Sequence, residues 1–88
     1  MGTINEKTIK EKIKKRIATI TKEEPETIAD DSKFSDIGVD SADMINIIYD
    51  LESDFNIVIS DEEMDEISTI QEACNLINDK INNRDYRP

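Results

Sequence analysis

Apolar residues recur along this chain at helical rather than strand spacing. Ile9, Ile13, Ile17 and Ile20 are separated by four, four and three positions, which places them on one face of a first helix running from about Ile4 to Ile20. Lys and Glu fill its other face. Thr3 and Glu6 match a capping box that would start it. Met44, Ile47, Ile48, Leu51 and Phe55 make a second and clearer stripe, predicting a helix from Ser41 to Phe55. Asn56 to Ile59 reads as an extended connector, too short and isolated to build a sheet. Ser60 with Glu63 signals the cap of a short third helix, with Met64 and Ile67 inward. Ser68 with Gln71 signals a last helix, whose stripe is Ile70, Ala73, Cys74, Ile77 and Ile81.

Between the first two helices lies a polar connection of roughly 20 residues, unusual in a compact domain unless it is packed or functional. Ile28, Phe34 and Ile37 interrupt it and are expected to pin it to the core. The pattern therefore predicts an all-α bundle of four helices, with a long loop between helices 1 and 2 and a short third helix. Residues 1–82 are expected to form a single domain, and residues 83–88 a flexible C-terminal tail.

With 88 residues, the chain supports one core that buries only about 60 to 70 per cent of its unfolded surface. No histidine is present and Cys74 is the only cysteine, so Ser/His and Cys/His nucleophilic pairs and a soft zinc ligand set are excluded. Cys74 has the spacing of a core residue and no base to activate it, which predicts an inert buried thiol. No apolar run is long enough for a membrane span, and no apolar segment follows the N-terminus as in a secretory signal. A soluble, cytoplasmic, monomeric protein that is not an enzyme is the expectation.

Charge is unevenly placed. The net charge is -10, yet Lys7, Lys10, Lys12, Lys14, Lys15 and Arg16 crowd the first helix, predicting a basic side. From Glu23 to Asp54, eleven acidic residues face Lys33 alone. That field disfavours nucleic acid and suits basic protein surfaces. Calcium binding through an EF-hand-type loop is excluded by spacing: with Gly38 as the loop glycine, Lys33 and Met44 fall where acidic ligands are required. Ile45 and Tyr49, four apart and off the core stripe, form a small apolar patch that either faces a partner or is half-covered at the edge of the bundle.

Structure and chemistry meet in Asp36-Ile37-Gly38-Val39-Asp40-Ser41-Ala42-Asp43-Met44. Gly38 permits a tight turn, Asp40 is a good N-cap, and Ser41 falls in the first helical turn with its hydroxyl exposed. An anion there would lie at the positive end of the helix dipole. A serine at a helix start is also, by itself, simply a cap. Ser41 has no base to activate it, so any covalent role needs an external enzyme.

From Ile9 to Ile81 the chain resembles the acyl carrier protein family. The basic first helix, the long loop, Phe34 and the Asp-Ile-Gly-Val-Asp-Ser approach carry the likeness, with Asp50-Leu51-Glu52, Phe55, Ile59-Ser60-Asp61-Glu62-Glu63 and Ile70-Gln71-Glu72-Ala73. The resemblance implies a four-helix bundle of acyl-carrier type and a carrier of acyl thioesters on a 4'-phosphopantetheine arm attached to Ser41. It implies recognition through Asp40, Asp43, Ile45 and Glu52, with a phosphopantetheinyl transferase and basic acyl-processing enzymes as partners. Ala42 departs from the family's usual leucine, and Asn46 and Ser53 are neutral where fatty-acid carriers tend to be acidic. These departures point to a specialised lipid or secondary-metabolite pathway. The rival reading is an unmodified acidic helical adaptor for a basic partner, which explains charge and stripes but not the approach to Ser41.

Overall fold

A computed structural model describes residues 5–84. Those residues form four α-helices: α1 Glu6–Thr21, α2 Ser41–Phe55, α3 Asp61–Asp65 and α4 Ile70–Arg84. Among the described residues none is long and apolar enough to cross a membrane.

The expected stripes are the observed core. Ile9, Ile13 and Ile17 of α1 meet Ile47, Ile48, Leu51 and Phe55 of α2 and Ile70, Ala73, Cys74 and Ile77 of α4, all buried. Ile20, Met44, Met64, Ile67 and Ile81 are partly buried against that cluster. Each fully buried large aliphatic side chain contributes about 1.5–3 kcal/mol relative to exposure. No polar or charged residue is buried among those described. The connector after α2 alternates as an extended chain does: Ile57 and Ile59 point inward and Val58 outward. Asn56, at φ 56, caps α2 in the left-handed conformation and turns the chain into it.

Two helix starts differ from the expected caps and one matches. The Thr3 partner of the expected first box lies outside the described residues. The observed N-cap of α1 is Asn5, whose Oδ1 accepts the Thr8 N–H at 2.9 Å. The Ser60–Glu63 box before α3 is present in both directions. Before α4, Thr69 rather than Ser68 caps the helix: its hydroxyl accepts the Glu72 N–H at 3.1 Å, and Glu72 accepts the N–H groups of Ser68 and Thr69. Glutamate accepts two backbone donors with charge assistance. Gln71, expected in that role, instead donates to Glu6 and Asn75. The backbone of residues 83 and 84 continues α4, and the rest of the expected tail lies outside the described residues.

The long loop is packed, through Ile28 and Phe34 in the core and Ile37 at its margin. It contains two short 3-10 turns, Pro25–Thr27 and Ser35–Ile37. It is also tied to the α3–α4 junction: Phe34 N–H donates to the Ser68 carbonyl at 3.0 Å, Ile70 N–H to Ser32 at 3.3 Å and Gln71 N–H to Asp30 at 2.8 Å. Its backbone polar groups thus find partners that a draped loop would leave to water.

Candidate functional site

The chain reaches Ser41 through a turn fixed at both ends. Gly38 sits at φ 87 with open space around its α-carbon, so conformation rather than crowding favours glycine there. Val39, not assigned to the core from the sequence, is buried, and its N–H donates to the Phe34 carbonyl at 3.0 Å. Phe34 and Val39 therefore clamp the turn from both sides and set where α2 begins.

At that start Asp40 and Asp43 cap one another. Asp43 N–H donates to Asp40 Oδ1 at 2.9 Å, and Asp40 N–H to Asp43 Oδ2 at 3.5 Å. The box does not use the N–H groups of Ser41 and Ala42, so α2 keeps positive potential at its first turn. Ser41 is exposed as the first residue of α2. It shares a groove of about 370 Å³ with Lys33, Phe34, Ser35, Val39, Asp40, Met44, Ile67 and Ser68.

The other candidate residues separate along α2. Asp43 is half-buried beside Ser41, and Ile45 and Tyr49 are exposed at 40% and 66%, so the patch they form is open. Glu52 is half-buried, and its Oε2 accepts the Ile59 N–H at 2.7 Å. Its carboxylate thus anchors the connector, a use that spacing on α2 alone does not reveal. Asp50 and Asp54 turn towards α1, where Arg16 lies 3.5 and 2.7 Å away.

The expected basic side is neutralised in part, while Lys7, Lys12 and Lys15 stay exposed and outside any ion pair among the described residues. Lys10 bridges Glu6 at 2.8 Å and Asp30 at 3.0 Å, and Lys14 reaches Asp30 at 2.6 Å. Hydrogen bonds from Lys14 and then Lys10 hold the Asp30 carboxyl below its ordinary range. Lys10, and secondly Gln71, does the same for Glu6. Cys74 is fully buried, with Sγ 3.6 Å from the Glu6 carbonyl. Burial above all pushes the Cys74 thiol up to about 11, in keeping with an unreactive core residue.

The family profile described as "Phosphopantetheine attachment site" matches residues 11–77. The chain is 41% identical over 80 residues to the acyl carrier protein of Cyanidium caldarium, covering 85% of this chain and 93% of that one. It is 36% identical over 73 residues to the acyl carrier protein of Petrotoga mobilis, covering 82% and 86%. The chain belongs to the acyl carrier protein family. A crystal structure of the acyl carrier protein from Thermotoga maritima superposes with a TM-score of 0.81 over 96% of this chain and 99% of that one. Its 21% identity speaks to the shared fold. Members of the family are carriers rather than enzymes, and phosphopantetheine is the group they bear.

Proposed function

We propose that Ser41 is the attachment residue for 4'-phosphopantetheine and that the α2 start beside it is where partner enzymes dock. The exposed Ser41 hydroxyl at the first position of α2, framed by the reciprocal Asp40–Asp43 cap, carries this reading. The local residues fit the group. The N–H groups of Ser41 and Ala42 and the helix dipole favour a phosphodiester, and the neighbouring groove offers apolar Phe34, Val39, Met44 and Ile67 to the chain beyond it. When attached, the arm supplies a terminal thiol that holds acyl groups as thioesters.

This chain's own contribution is positional. Asp40 and Asp43 spend carboxylate oxygens on backbone donors and the chain has no histidine, so the proton of the Ser41 hydroxyl must pass to a base on a phosphopantetheinyl transferase. Recognition falls to Asp40 and Asp43 beside the hydroxyl and to exposed Ile45. Glu52 presents the carboxylate oxygen left over from the connector. A basic docking surface on acyl-processing enzymes complements them. A specialised pathway is supported by exposed Ala42, Asn46 and Ser53, which remove apolar area and charge from the docking face. We read the carrier as monomeric and cytoplasmic. Incubation with coenzyme A and a broad-specificity phosphopantetheinyl transferase is expected to add one arm to the wild type and none to Ser41→Ala. Absence of any addition to the wild type, even with a transferase from its host, would leave the unmodified adaptor.

A further inference from the structure

Lys33 is the single base among eleven acids between Glu23 and Asp54, and the groove it lines is the one that Ser41 lines. Its backbone is held in place from both sides. Ile70 N–H donates to the Ser32 carbonyl at 3.3 Å, Phe34 N–H donates to the Ser68 carbonyl at 3.0 Å, and Lys33 pairs with Thr69 as an isolated antiparallel bridge. The Phe34 carbonyl then accepts the Val39 N–H, which fixes the segment ending at Ser41 against the residue that follows Lys33. Lys33 is exposed and makes no ion pair with a carboxylate among the described residues, unlike Lys10, Lys14, Arg16 and Lys80.

A phosphodiester on Ser41 adds negative charge next to Asp40 and Asp43, whose carboxylates are fixed by mutual capping and cannot swing away without uncapping α2. The cation on the same groove offers the phosphate a counter-charge on the loop side. We propose that Lys33 is an arm-positioning residue: its ammonium pairs with the phosphodiester on Ser41 and biases the arm into the groove towards Ile67 and Ser68, away from the acidic face of α2. This rests on Ser41 bearing the arm. An exposed lysine–phosphate pair is weak and salt-sensitive, so its effect falls on the arm's preferred direction more than on stability. Held this way, the arm leaves Ile45 and Asp43 open to a partner.

The test compares amide spectra of ¹⁵N-labelled protein before and after arm addition, with complete loading established by intact mass, for the wild type, Lys33→Gln and Lys33→Arg. Coincident unloaded spectra away from position 33 show that the variants keep the fold. Loading should shift the amides of Phe34, Ile67 and Ser68 in the wild type and in Lys33→Arg. In Lys33→Gln, and in the wild type at high salt, those shifts should shrink by about twofold or more, as expected for loss of an exposed ion pair. Amides of Ala42 and Asp43, next to the attachment point, should shift in every variant. Groove shifts of equal size in loaded Lys33→Gln and wild type, or their loss in Lys33→Arg as well, would overturn the assignment. Failure of the wild type to accept any arm would instead refute the Ser41 reading, and the role of Lys33 with it.

Discussion

Replacing Phe34 with alanine removes the aromatic ring that holds the long loop against the bundle. Phe34 is 4% exposed and belongs to the same core cluster as Leu51, Phe55 and Ile70. Its deletion costs the transfer energy of the lost atoms plus that of the cavity left behind, about 3–5 kcal/mol for a buried phenylalanine. A domain of this size has on the order of 5–10 kcal/mol of stability in total, so the variant should lie close to its folding threshold. The backbone bonds from 32 and 34 to the α3–α4 junction do not involve the ring and limit how far the loop can move to refill the space. Urea unfolding followed by circular dichroism should show a midpoint well below wild type at an unchanged slope, and the melting temperature should fall by more than about 10 °C. A loss under about 0.5 kcal/mol, typical of a surface substitution, would show that the loop is draped on the bundle rather than built into it, and that the approach to Ser41 is not clamped as described.

Acid should reveal the α1–loop ion pairs. Because Lys14 and Lys10 depress the Asp30 carboxyl in the folded state, its contribution is present above its ordinary value of 3.8 and disappears as pH falls through the lower folded value. Asp30→Asn should therefore be less stable than wild type at neutral pH and lose less below about pH 4, and parallel acid-unfolding curves would argue against the pairing. Cys74, with its thiol pushed up to about 11, should react with a disulfide reagent at pH 8 only slowly in native protein and rapidly in urea, since the thiolate is the nucleophile. Equal rates in the two conditions would mean that the α1–α4 seam opens freely.

Much of the fold was legible because stripes and caps are local. The Met44 to Phe55 pattern predicted both ends of α2, and Ser60 with Glu63 predicted the start of α3, because helix periodicity and capping boxes act over three or four residues. Asp40 before Ser41 was readable for the same reason. What the sequence concealed was non-local. Arg16 finds Asp54, 38 residues away, and Lys10 finds Asp30, 20 residues away, so a helix that reads as basic presents much of its charge already paired. Glu52 looked like a surface acid until the connector folded back and gave it the Ile59 N–H. Val39 belonged to no stripe, and only the turn at Gly38 drives it into the core. The Ser68–Gln71 and Thr69–Glu72 spacings were both in the sequence. A carboxylate at the third helical position is the stronger acceptor, which would have favoured the second.

Locating the modification separates Ser41 from every other hydroxyl of the chain. Wild-type protein treated with coenzyme A and a phosphopantetheinyl transferase should give, in the tandem mass spectrum of its digest, a single phosphopantetheine on Ser41. An arm on another hydroxyl, such as Ser35 or Ser53, or an arm still acquired by Ser41→Ala, would show that Ser41 is not the attachment residue.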